Sequence, residues 1–121
     1  MGTTERTVRV TRSLSRSTRA SDPPLKVRRG EPVTVGERSD EWPAFVLVTT
    51  PTGGCGWVPE RRLGRERPRT RVRREYDTTS LEPAVGETLF VLAADPESGW
   101  LWCYDVDRRV GWYPEDYVDA L

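Results

Sequence analysis

The chain has 121 residues, 31% of them charged, and its 19 Lys and Arg balance its 19 Asp and Glu. It contains no histidine, which removes the commonest general base and the commonest metal ligand. No apolar run nears the roughly 20 residues of a membrane span, and the opening MGTTERTVRVTRS has no apolar signal core, so a cytoplasmic location with no membrane contact is expected. The neutral total hides a split, with 12 basic against 7 acidic residues over 1–65 and 7 against 12 over 66–121. In chain order, short runs rich in Val, Trp, Tyr and Phe predict strands: TVRV (7–10), PVTV (32–35), FVLV (45–48), TLFVLAA (88–94), WLWCYDV (100–106) and RVGWY (109–113). Turn punctuation separates them at RRGE (28–31), PTGG (51–54), AVGE (84–87), DPESG (95–99) and DVDRR (105–109). Helical periodicity is absent, so the fold class predicted is all-β.

Three blocks recur in the same order. LKVRRGEPVTV (25–35) matches LEPAVGETLFV (81–91), with Leu, four residues, Gly-Glu and then an apolar strand. DEWPAF (40–45) matches SGWLWC (98–103), each with a Trp set to open a strand. GWVPERRL (56–63) matches GWYPEDYV (111–118). An ordered recurrence of this kind is an internal repeat of two units. The closing block has a physical reading: a glycine for close backbone approach, a tryptophan alternating with the next residue across a strand, a proline that ends the strand, and a short 3₁₀ turn. Trp57 and Trp112 then lie on the outer face, where they require cover from another surface. The polar stretch GRERPRT (64–70) reads as a linker, which gives a first domain over 1–64, a linker over 65–69 and a second domain over 70–121.

On these motifs each half resembles a Src-homology-3 domain of a bacterial type, the second half more closely than the first. The resemblance implies two small five-stranded SH3-like barrels in tandem and a non-catalytic adaptor function. Such domains hold extended proline-rich peptides, already stiff and low in entropy, in a shallow aromatic groove. Matched residue by residue, the second half offers Tyr76, Trp100, Pro114 and Tyr117 to the groove, with Trp100 as its anchor. Asp77, Asp95 and Glu97 are placed to attract a basic ligand flank. Two departures are visible: Arg74 stands where the family carries a second Tyr, and only DTTS separates Tyr76 from Leu81, so the acidic loop is cut down.

The first half offers Trp42 and Pro59 as a possible second site, but Arg62 occupies the closing Tyr position and residues 1–65 contain no Tyr. Its loop RSLSRSTRASDPP (12–24) is basic; Arg12, Arg16, Arg19, Lys26, Arg28 and Arg29 suit an anionic partner. Nucleic acid is not expected, because no aromatics interleave with these arginines and the whole chain is neutral. The partner expected is therefore a protein or peptide. The alternative function is a structural or regulatory subunit of a larger complex, with no free-peptide specificity. No metal-ligand spacing and no cofactor motif occurs, and Cys55 and Cys103, at unmatched places in the repeats, are expected as free thiols.

Overall fold

A computed structural model of the protein describes residues 6–14 and 24–121. The chain is all-β. Its strands are β1 (Arg6–Val10), β2 (Lys26–Val27), β3 (Pro32–Arg38), β4 (Phe45–Thr49), β5 (Cys55–Pro59), β6 (Arg69–Arg71), β7 (Tyr76–Asp77), β8 (Thr88–Asp95), β9 (Trp100–Tyr104), β10 (Val110–Pro114) and β11 (Val118–Ala120). Single 3₁₀ turns at Glu60–Arg62 and Glu115–Tyr117 follow the two closing prolines, Pro59 and Pro114. Every strand read from the sequence is present, within three residues of its expected ends.

The strands form two compact units. Unit 1 comprises Met1–Arg19 with Ser80–Leu121, and unit 2 is Ala20–Thr79. Unit 1 holds a five-stranded sheet in the order β10-β9-β8-β1-β11. Unit 2 holds a four-stranded sheet in the order β5-β4-β3-β6 and the two-stranded ribbon β2-β7. Among the described residues no sheet closes on itself.

This division differs from the one at 65–69 that the sequence suggests, and hydrogen bonding gives the reason. The first strand of each repeat joins the sheet of the other repeat. β1 pairs with β8 (Val8↔Leu89) and with β11 (Val10↔Val118). β6 pairs with β3 (Val33↔Thr70), and Val72 bridges Leu63. The two exchanged strands make the same bonds. In unit 1 Gly86 N–H donates to Val10 O (2.8 Å) and Val10 N–H to Glu87 O (2.8 Å); in unit 2 Gly30 N–H donates to Val72 O (2.8 Å) and Val72 N–H to Glu31 O (2.9 Å). The expected linker is an integral part of unit 2. Thr70 is buried, Val35 N–H donates to Pro68 O (2.7 Å), and Arg67 pairs with Glu60 (3.0 Å).

The repeated Gly-Glu is turn chemistry. Gly30 and Gly86 take φ of +89° and +96°, a region that a side chain resists. The glutamate after each folds back, so that Glu31 accepts from Arg28 N–H (2.9 Å) and Glu87 from Ala84 N–H (3.1 Å). Burial follows the strand period of two. In unit 1 the buried set includes Val8, Val10, Leu89, Leu101, Cys103 and Tyr113; in unit 2 it includes Val33, Val35, Val46, Val48, Val58 and Val72. Each fully buried Val or Leu contributes roughly 1.5–3 kcal/mol relative to exposure.

Candidate functional site

The four expected groove residues fall in two places. Trp100, Pro114 and Tyr117 belong to unit 1, and Trp100 stands directly opposite Pro114 across β9 and β10. Tyr76 lies in unit 2, where it pairs with Val27. None of the four presents an open face. Trp100 and Tyr76 are each 5% exposed, Tyr117 is 6% exposed and Pro114 is fully buried.

Each tyrosine carries a guanidinium from its own unit. Arg12 sits 4.6 Å above the centre of the Tyr117 ring. The edge of the pair is closed by Tyr113, 6.2 Å from Tyr117 in a T-shaped contact, whose hydroxyl donates to Arg12 O (2.6 Å). In unit 2 Arg62 sits 5.3 Å above Tyr76 and is fixed by a bond from its guanidinium to Glu75 O (2.7 Å). Arg62 and Tyr117 occupy the same repeat position, at the end of the 3₁₀ turn. Ring and cation have thus changed sides between the units while the contact is kept. A cation over an aromatic face is attracted by the ring quadrupole, and it covers one face of each ring.

The acidic residues are also divided. The Asp77 carboxylate accepts from Thr79 N–H (2.9 Å) and Thr79 hydroxyl (2.6 Å) in unit 2. Asp95 accepts from Glu97 N–H (3.2 Å) and Ser98 hydroxyl (2.9 Å), which shapes the turn between β8 and β9. Glu97 is exposed on that turn. Trp42 does not open a strand: it lies in the turn before β4, where its backbone N–H donates to Ser39 Oγ (2.9 Å). Register puts Phe45, not Trp42, in the place of Trp100, because Phe45 faces Pro59 as Trp100 faces Pro114. Two tryptophans near the ends of similar segments made the sequence match, and the three-residue offset is visible only once strands are paired. Of the basic set, Arg16 and Arg19 lie outside the described residues; Arg12 is engaged with Tyr117, and Lys26, Arg28 and Arg29 are exposed in unit 2.

A different aromatic surface emerges in unit 1, on the outer face of β8, β9 and β10. Phe90 and Tyr104 are paired across strands and stacked, with centroids 4.9 Å apart and planes at 21°. Trp102 and Trp112 are paired and tilted, with centroids 5.0 Å apart. Val110, opposite Tyr104, is 40% exposed, and Leu92, at a break in the β8–β9 register, is 53% exposed. The inward neighbours Leu101, Cys103 and Tyr113 are fully buried. Of the aromatics on this face, the sequence reading singled out Trp112 alone. The alternation in WLWCY and VGWYP carries the signal for Trp102 and Tyr104.

Cys55 is exposed and Cys103 buried, and both are free. Burial pushes the Cys103 thiol up to about 12, against a smaller opposing pull from Arg6. Among the described residues no cluster of His, Cys, Asp or Glu is arranged to hold a metal ion, and no helix is long and apolar enough to cross a membrane. No protein-family model, no curated protein and no solved structure matches the chain.

Proposed function

We propose that the protein is a non-catalytic binding subunit made of two SH3-like units, and that it holds a protein partner through the outer aromatic face of β8–β10. The SH3-like reading rests on the order of the repeat: a Gly-Glu turn, two long strands, a Gly-Trp-x-Pro strand and a 3₁₀ turn in each half. The observation that carries the functional reading is the contrast between two aromatic sets of unit 1. The groove residues Trp100, Pro114 and Tyr117 are buried, with Arg12 on the tyrosine face. Phe90, Trp102, Tyr104 and Trp112 are half-exposed beside exposed Val110 and Leu92. Rigid, amphipathic aromatics of this kind are the usual anchors of protein interfaces. This favours a subunit that docks on a folded surface over an adaptor that captures free proline-rich peptides. The missing histidine and the buried, protonated Cys103 thiol support a non-catalytic role.

The test is co-purification from the native source using full-length protein, with two variants run beside the wild type. Trp102→Ser with Val110→Asp is expected to lose the partner by more than tenfold, the scale of an interface anchor of about 2 kcal/mol. Glu97→Gln with Asp77→Asn is expected to keep it. A partner retained by the first variant and lost by the second returns the function to the acidic groove.

A further inference from the structure

The stretch that reads as a linker lies within the densest run of charge in the chain. Eight of the fourteen residues from 61 to 74 are arginine, and Glu66 is the single acidic residue among them. The fold sorts these arginines. Arg38 and Arg67 converge on Glu60 (2.7 and 3.0 Å), and Arg62 covers Tyr76. Arg69, Arg71 and Arg73 are different. They alternate with buried Thr70 and Val72, so all three project outward from one side of the chain. At about 3.4 Å per residue Arg69 and Arg71 stand roughly 7 Å apart on β6, and Arg73 follows in the bend after it.

The row is fixed on both edges. β6 pairs with β3 on one side, while Gly64 N–H donates to Arg71 O (2.8 Å) and Arg73 N–H to Arg62 O (2.7 Å) on the other. Arg71 is braced by a bond to Gly30 O (2.8 Å), which brings the exposed turn of Arg28 and Arg29 beside it. Among the described residues no carboxylate pairs with Arg69 or Arg73. Of the acids beside the row, Glu31 caps the Arg28 turn and Glu66 accepts from the Thr70 hydroxyl (2.8 Å), while Glu75 follows the row at its end.

We propose that this arginine row of unit 2 binds the phosphodiester backbone of nucleic acid without sequence preference. Three properties select that ligand. The guanidinium fork matches phosphate oxygens in bidentate geometry. The cations follow one another along β6 and the hydrogen-bonded bend after it, suited to a polymer of closely spaced anions. The residues facing outward beside them across β3, Pro32 and Thr34, offer no large apolar anchor, which a protein interface needs and a phosphate backbone does not. The expectation against nucleic acid rests on the arginines of residues 12–29 and on the neutral total, and it counts this segment as a linker. The site belongs to unit 2 and the aromatic face to unit 1, and each is tested by its own variants.

The experiment is fluorescence anisotropy of the full chain with labelled duplex DNA and single-stranded RNA of about 20 nucleotides and mixed sequence, across roughly 50–200 mM salt. Three phosphate contacts give a slope of about −2.7 in log K against log salt on duplex DNA, or about a 40-fold fall over that range. Arg69→Gln with Arg73→Gln is expected to lower the slope to about −0.9 and weaken binding more than tenfold at the lowest salt. Arg69→Lys with Arg73→Lys keeps the slope, and Arg108→Gln with Arg109→Gln in unit 1 behaves as wild type. Thermal melting of each variant confirms folding. No binding at about 50 mM salt, an unchanged slope in the Gln variant, or displacement of the nucleic acid by an equal charge of poly-glutamate each overturns the proposal, the last assigning the surface to an acidic protein.

Discussion

At the scale of single residues, the repeated Gly-Trp-x-Pro-Glu is a device for alternation and close approach. Gly111 carries the second of these. A Cβ there would stand 3.0 Å from Leu81 N and 3.1 Å from Ser80 C, because that segment runs beside β10 and Leu81 N–H donates to Trp112 O (3.1 Å). We expect Gly111→Ala to destabilise the protein by about 1–3 kcal/mol, as overpacking against backbone does, read as a lower denaturation midpoint. The two cysteines make a second residue-scale expectation. Native alkylation near pH 8 is expected to label exposed Cys55 and to leave Cys103 unmodified until denaturant is added, since a buried thiol held at about 12 supplies almost no thiolate. Rapid native labelling of both, followed by mass spectrometry, would contradict the burial. The alternation of Trp57 and Trp112 with inward Val58 and Tyr113 was legible in the sequence, because it rests on the strand period alone. The arginine covers on Tyr76 and Tyr117 were not. Arg62 was visible as a departure from the family pattern, yet only its fold position turns that departure into a contact.

Elements are joined by charge as well as by ladders. Glu60, at the start of its 3₁₀ turn, receives Arg38 from β3 and Arg67 from the approach to β6. Its carboxyl is held below the ordinary glutamate value, first by the Arg38 hydrogen bond; burial, the next-largest effect, opposes this, and the Arg67 hydrogen bond and both charges add to the lowering. A carboxyl with a lowered folded pKa adds stability above its unfolded value of about 4.3, and that stability is lost as pH falls through the folded pKa. Glu60→Gln is therefore expected to melt lower than wild type at neutral pH. The gap should close below the folded pKa and narrow in high salt, because the triad is partly exposed. Melting curves at several pH values check this, and a gap that widens in acid would reverse the sign. At this scale the strands and turns followed from pattern. The Gly-Glu signature shows repetition, while its mechanism, a carboxylate folded onto the turn, depends on the backbone conformation that brings Glu31 and Glu87 back to the Arg28 and Ala84 N–H groups.

For the whole molecule, the main departure from the sequence is the exchange of first strands. Val10 against Val118 and Val72 against Leu63 hold equivalent places, so each repeat is completed by a strand from the other. Local pattern cannot report this, because RTVRV and RTRVR fit either sheet equally well. A cut at the apparent linker removes β6 from unit 2. We expect a fragment of residues 1–64 to show no cooperative unfolding, and a fragment of residues 20–79, which keeps β6, to show it by circular dichroism. A cooperative transition in 1–64 would restore the division at 65–69. The candidate groove was legible as a set of residue types, and what the sequence concealed was burial: three of those four residues share unit 1, one lies in unit 2, and both tyrosine faces carry an arginine.

The functional account turns on those closed tyrosine faces, and one titration addresses them directly. The chain has five tryptophans, so uniformly ¹⁵N-labelled protein offers five indole N–H reporters, among them Trp100. Proline-rich peptides with a basic flank, added to millimolar concentration, are expected to leave the Trp100 indole and the amides around Tyr117 and Tyr76 unmoved, which places any affinity weaker than about −4 kcal/mol. Saturable shifts centred on Trp100, Pro114 and Tyr117 at lower concentration would show an open peptide groove and contradict the account.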